Sequence, residues 1–274
     1  DQAIAGLRAL AGGYPAPGVV AAHEGACGSG LSPGVVFLYS GQGSQWAGMG
    51  RRLLADEPAF AAAVAELEPY FVTHVGFSLR DVLSSGEVVV GIDRIQPVLV
   101  GVQLALTALW NSYGVKPDAV IGHSMGEVTA AVVGGALSPA DGLKVIATRS
   151  RLMKRLSGQG AMALLELDAA ATEDLIAGYP GLTVAVYASP HQTVIAGPPE
   201  QVDAVIAVVD AQDRLARRVD VDVASHHPII DPILDDLRTE LAGLQPRQPT
   251  IPIIVSTDER PTDGSCVFDA EHWA

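Results

Sequence analysis

The residues best suited to covalent chemistry lie at positions 122–126, Gly-His-Ser-Met-Gly. A short apolar run, Ala119-Val-Ile121, leads in, and residues 127–135, rich in small apolar side chains, lead out. This is G-x-S-x-G between a strand and a helix, the setting in which a sharp turn lifts a serine out of a sheet. Glycine at 122 and 126 leaves room for that turn. The N–H of Met125 opens the helix and points where an oxyanion forms, so Ser124 reads as a nucleophile and Met125 as an oxyanion donor. The alternative is a tight turn with an idle serine. A strand before, a helix after and an available histidine favour the nucleophile.

Serine needs a base. Of the seven histidines, His23 falls in a leading loop and His74 in a surface-like one. His123 precedes the nucleophile and should point away from it, His191 marks a hairpin turn and His272 lies near the end. That leaves Ala224-Ser-His-His-Pro228, where His226 as a base and a helix-capping loop with two solvated histidines are equally good readings on spacing alone. A second glycine cluster, Gly41-Gln-Gly-Ser-Gln45, follows the apolar run 34–39. It looks like a phosphate cradle, yet no Gly-Lys-Ser or Gly-Lys-Thr follows. Trp46 stands where a dinucleotide fingerprint needs its third glycine.

The elements that must carry these residues alternate between strand-like and helix-like. Residues 35–39 and 119–121 read as buried strands; 50–70, 96–113 and 127–135 read as helices, which argues for a parallel α/β core. Residues 161–223 have another rhythm: strand 161–167, helix 172–178, strands 182–187 and 192–196, helix 199–211, strand 215–221. That β-α-β-β-α-β order is the ferredoxin-like motif. Helical patterning returns at 228–244. The expected fold class is therefore α/β. A large, α/β-hydrolase-like subdomain with a parallel sheet (34–158 and 224–274) receives an inserted small ferredoxin-like subdomain (159–223). Residues 1–33 read as a linker rich in Gly, Pro and Ala.

A chain of 274 residues with 49% hydrophobic and 18% charged residues has the composition of a folded domain. Its net charge of −14 argues against nucleic acid, whose phosphates need a basic face. Clusters such as Arg149, Arg151, Lys154 and Arg155, or Arg214, Arg217 and Arg218, read mostly as solvated helix faces. Two distant cysteines, Cys27 and Cys266, offer neither a disulfide framework nor a zinc spacing, which suits a reducing cytoplasm. Residues 98–110, the most apolar stretch, are too short to span a bilayer and include Gln103. The chain starts at Asp1 without methionine or signal pattern, as a piece cut from a longer polypeptide would.

Four segments occur in order: Gly41-Gln-Gly-Ser-Gln45, Gly122-His-Ser-Met-Gly-Glu127, Arg149-Ser-Arg-Leu-Met153 and Val223-Ala-Ser-His226. Together they resemble the acyltransferase domain of modular type I polyketide synthases, related to malonyl-CoA:acyl-carrier-protein transacylases. The resemblance runs from about residue 35 to 273. Residues 1–33 look like the tail of a linker from a neighbouring ketosynthase, and Asp269-Ala-Glu-His-Trp273 like the handover to the next linker. The resemblance implies a ping-pong transfer from a carboxyacyl-CoA to Ser124 and on to the phosphopantetheine thiol of an acyl carrier protein. No bound cofactor or metal and no membrane insertion are expected. It makes His226 the base, and it makes the Gln42 N–H the second oxyanion donor beside Met125, a contribution of about 3 kcal/mol per donor.

It also places the substrate carboxylate on Arg149, whose planar guanidinium can hold it bidentately where lysine cannot. A helix-surface arginine paired with a nearby acid is the alternative. Gln96, in Ile95-Gln-Pro97, matches a further polar site residue that orients Arg149 or the substrate; otherwise it is a polar residue before Pro97. One departure is Ala188-Ser-Pro190, where the family often has an asparagine. The stretch before the histidine tracks the extender unit in the family: His-Ala-Phe-His with malonyl, Tyr-Ala-Ser-His with methylmalonyl. Val223-Ala-Ser225-His226 is nearer the second, and Ser225 leaves volume that a phenylalanine would fill. Val223 in place of tyrosine would widen the pocket toward ethylmalonyl or longer branches. The rival classes are a serine thioesterase or hydrolase, which gains nothing from Arg149, and a non-catalytic docking domain, against which Ser124, His226 and Arg149 together argue.

Overall fold

The computed structural model describes residues 8–9, 11–12, 34–256 and 267–274. The expected linker, 1–33, lies almost wholly outside the described residues. Three short strands, β1 (Val36–Tyr39), β2 (Ala119–Gly122) and β7 (Ile253–Ile254), form a parallel sheet in the order β1-β2-β7. Tyr39 stands opposite Gly122 in the register. The glycine loop after β1 and the serine turn after β2 therefore start side by side at the carboxyl ends of neighbouring strands, where open α/β sheets hold their ligands.

Helices cover this sheet. The expected helix 50–70 is two, α1 (Arg51–Asp56) and α2 (Pro58–Tyr70), broken at Glu57, which is extended (φ −116°, ψ 101°). The break follows from Pro58, which disfavours helical geometry in the residue before it yet suits the first position of a new helix. α3 (Leu79–Ser85) is capped by the Ser78 hydroxyl, which accepts from the Asp81 N–H. The long apolar helix begins earlier than its pattern suggests, as α4 (Ile92–Ser112). Its 21 residues match the length and apolarity of a membrane span, but 72% of its most apolar window is buried inside the protein. α5 (Gly126–Val133) follows β2, and α6 (Pro139–Met153) is capped by Ser138.

The different rhythm after residue 160 has a structural counterpart. β3 (Ala161–Leu165), α7 (Ala169–Ile176), β4 (Thr183–Ser189), β5 (Gln192–Gly197), α8 (Pro199–Asp210) and β6 (Ala216–Arg218) follow in the order β-α-β-β-α-β. The four strands form an antiparallel sheet, β4-β5-β3-β6. Alternation along β3 builds two interfaces. Ala161, Ala163 and Leu165 pack with Val202, Val205 and Val209 of α8, while Met162 faces the other way, onto Ala196 and Ala224. The second face of this sheet thus rests on the segment that carries His226.

The expected helix 228–244 begins as a 3-10 turn, Pro228–Ile233, before α9 (Leu234–Leu241). Pro228 and Pro232 lack the N–H that α-helical bonding needs. The chain closes with α10 (Ala270–Trp273), capped by Asp269. Among the described residues β1 has β2 as its only strand neighbour. Its free edge carries the exposed side chains of Val36 and Leu38 beside Trp110, which border a groove of about 460 Å³.

Candidate active site

Ser124 has φ +53°, the left-handed region that side chains other than glycine rarely adopt. The surroundings enforce it. The His123 N–H donates to the Tyr39 carbonyl (2.9 Å) and the Glu127 N–H to the Ser124 carbonyl (2.9 Å). A Cβ at position 126 would stand 2.2 Å from the Tyr39 carbonyl oxygen, and one at 122 would stand 2.3 Å from the backbone of Glu127. Only glycine lets the turn close this tightly against β1.

His226 Nε2 lies 2.8 Å from Ser124 Oγ. Burial, the Arg149 charge and His123 together lower the His226 pKa to about 4, in that order of weight. The imidazole is therefore neutral at pH 7 and can accept the Ser124 proton. His123 lines the same cleft as Ser124 and does not point away from it. β2 ends at Gly122, so residue 123 is released from strand alternation.

The glycine loop lies against the nucleophile: a Cβ on Gly41 would be 3.4 Å from Ser124 Cβ. The loop is pinned from α4 and α5. Gln103 donates to the Ser40 carbonyl (2.9 Å) and accepts from the Thr129 hydroxyl (2.6 Å). Gln96, buried at the start of α4, donates to the Gln42 side chain at 3.3 Å, and its own Oε1 is buried without a partner. The structure thus joins Gln96 to the loop of Gln42. Met125 is buried at the first turn of α5, where backbone N–H groups lie outside the helix ladder.

Arg149 differs from the other basic residues of its sequence cluster. Arg151 pairs with Glu240, Lys154 with Asp93 (2.8 Å) and Arg155 with Asp236 (2.6 Å). Arg149 is half-buried on the cleft wall and its Nη1 is buried without a hydrogen-bond partner. Burial pulls its pKa down to about 10, opposed by the charge of Glu127. An arginine held this way, out of water and with a donor unused, is prepared for an anion that enters from outside.

Not every expected residue reaches the cleft. Val223 is 1% exposed and packs into the main hydrophobic core, and Ser225 is half-buried; neither lines the cavity. Strand β4 supplies Ala185, Val186 and Tyr187 as the opposite wall. The cavity, about 370 Å³, thus lies between the two sheets. Sequence reasoning passed over Glu127, Ser256, His272 and Trp273, which complete it. Glu127 stands three residues after the nucleophile inside the motif, and that position was the one available signal.

Residues 36–274 match the family model described as acyl transferase domain. The chain is 70% identical over 273 residues to a phenolphthiocerol/phthiocerol polyketide synthase of Mycobacterium tuberculosis, covering 100% of this chain and 15% of that protein. It therefore spans a small part of the length of the curated relatives it matches. Among solved structures, the acyltransferase domain of the polyketide synthase PpsC of Mycobacterium tuberculosis superposes with a TM-score of 0.86 at 61% identity, over 98% of this chain and 79% of that one. The acyl transferase domain of SpnD, solved in complex with 2-(pent-4-yn-1-yl)malonyl, gives 0.84 at 29% identity, over 97% of this chain and 62% of that one.

Proposed function

This chain belongs to the family of acyl transferase domains, and from that membership we propose that it loads a carboxyacyl extender unit, methylmalonyl, for a polyketide synthase. The donor is the CoA thioester. The acceptor is the phosphopantetheine thiol of an acyl carrier protein, in a longer polypeptide that also holds a ketosynthase.

The Ser124 O–H proton passes to His226 Nε2 as Oγ bonds to the thioester carbonyl carbon. The N–H groups of Gln42 and Met125 hold the oxyanion. The C–S bond then breaks, the CoA sulfur takes the proton from His226, and acyl-Ser124 remains. The acceptor thiol repeats these steps in the other direction, with its proton going to His226 and then to Ser124 Oγ. Arg149 holds the carboxylate throughout. The observation that carries this reading is the 2.8 Å contact between Ser124 and a neutral His226 in one cleft with an unpartnered arginine.

The resemblance of Val223-Ala-Ser-His226 to the methylmalonyl-type stretch supports a branched extender over malonyl. Burial of Val223 in the core supports methylmalonyl over longer branches, since the volume saved there does not open into the cleft. The strand order β4-β5-β3-β6 supports a ferredoxin-like reading of the inserted part at 159–223. The serine turn after β2 supports a hydrolase-like reading of the remainder.

The test is intact mass of the protein after incubation with equimolar acetyl-, malonyl- and methylmalonyl-CoA, followed by addition of an acyl carrier protein. A methylmalonyl adduct exceeding malonyl by roughly tenfold or more is expected, because one methyl in an apolar pocket is worth about 1–3 kcal/mol. The adduct should pass to the carrier protein. A dominant acetyl adduct, or hydrolysis without transfer, would overturn the assignment.

A further inference from the structure

Arg149 and Glu127 line the same cleft with opposite charges. Such neighbours ordinarily pair, and a paired arginine would be closed to a substrate carboxylate. Here they do not pair. Glu127 raises the pKa of Arg149 through its field, yet the Nη1 of Arg149 has no hydrogen-bond partner.

The reason lies on the other side of Glu127. His272 Nε2 donates to its Oε1 at 2.8 Å, and the Ser256 hydroxyl donates to its Oε2 at 3.3 Å. Both carboxylate oxygens are occupied. His272 is itself fixed: its backbone N–H donates to Asp269 Oδ1 (3.1 Å). Its ring meets Phe268 and Trp273 edge-on, each at 4.7 Å between centroids, and Phe268 is fully buried. A side chain clamped by a cap and two aromatic contacts has little freedom to release its partner.

We propose that His272 is a positioning residue: with Ser256 it detains Glu127, so that the Arg149 guanidinium stays open to the carboxylate of the substrate. Glu127 supplies a counter-charge at a distance, which keeps a half-buried guanidinium tolerable without occupying its donors. Were Glu127 released, it would compete with the substrate from within the same molecule, at high effective concentration. That penalty falls on carboxyacyl thioesters alone. The inference rests on the reading of Arg149 as the carboxylate site.

The test compares methylmalonyl-CoA with acetyl-CoA, following CoA release by the whole chain with carrier protein present. His272→Ala should raise KM for methylmalonyl-CoA by roughly ten- to a hundredfold, the worth of one charge-assisted hydrogen bond, with kcat changed by no more than about threefold. KM for acetyl-CoA should stay put. Adding Glu127→Gln to His272→Ala removes the competing carboxylate and should bring KM for methylmalonyl-CoA back down. His272→Gln, which keeps an N–H donor, should retain most of the affinity. Ser256→Ala should shift KM in the same direction by less, and it carries the test if His272→Ala does not fold. A parallel loss for both thioesters, or no rescue by Glu127→Gln, overturns the proposal. If instead Arg149→Met treats both thioesters alike, the carboxylate site itself is misassigned and the proposal falls with it.

Discussion

Replacing Arg149 with methionine separates its three effects. Methionine keeps an unbranched chain and removes the charge. First, a substrate carboxylate entering a half-buried cleft then finds no cation. Truncating one partner of such a pair costs about 2–5 kcal/mol, so kcat/KM for methylmalonyl-CoA should fall by roughly thirty- to several thousandfold. Acetyl-CoA has no carboxylate and should be spared. Second, the Arg149 charge helps hold the His226 pKa near 4. Without it the acid limb for acetyl transfer should move upward, toward the ordinary histidine value of about 6.5. Third, a half-buried cation with an unused donor is a cost to the folded protein, so the melting temperature should hold or rise. Quenched-flow acylation with both thioesters between pH 3.5 and 8, with a thermal scan, reads all three. Equal losses for the two thioesters, with an unmoved acid limb, would refute the reasoning and make Arg149 a structural residue.

Ser124→Gly should abolish the acyl adduct in intact mass. It should also raise the urea midpoint by the equivalent of about 1 kcal/mol, since glycine tolerates φ +53° without strain. Gly126→Ala should do the reverse to the fold: a Cβ 2.2 Å from the Tyr39 carbonyl forces the turn apart, a destabilisation of about 1–3 kcal/mol visible in the same denaturation curves. In the unmodified protein, His226 is held neutral, so the unfolded chain takes up its proton first as the pH falls. Its contribution is complete above about pH 6.5 and is lost progressively toward pH 4, with a ceiling of about 3 kcal/mol. Urea midpoints of the protein and a His226→Gln variant, compared from pH 7 to 4, should converge as the pH drops.

What the sequence disclosed and what it concealed divide along chain distance. The serine turn is local: strand, two glycines and helix follow one another within a few residues, and the constraints on 122 and 126 are steric ones that a motif records. The β-α-β-β-α-β order was equally legible, because each element carries its own period. Pairing across the chain was not. Spacing left His226 undecided between base and capping loop, and four ordered segments were needed to favour it. His272 was set aside for lying near the end, although folding brings it to Glu127, 145 residues away. The two-residue strand β7 is too short to leave a period. Val223 misled for another reason. Its side chain turns into the core, a choice of direction that a loop's sequence does not encode.

The edge of β1 that no described strand pairs with bears on the behaviour of the chain in bulk. Val36 and Leu38 are 53% and 67% exposed there, and Trp110 is 51% exposed beside them. An apolar strand whose outer edge has no partner among the described residues is an adhesive of very short range. Opposing it is a net charge of −14, a repulsion that reaches only about 8 Å at physiological ionic strength and farther in dilute buffer. The two forces set a colloidal balance. Dilute salt keeps molecules beyond the reach of one another's sticky edge, whereas added salt lets them approach until edge meets edge. Preparations of this chain should accordingly disperse best in low-salt, mildly alkaline buffer, with turbidity rising as salt is added.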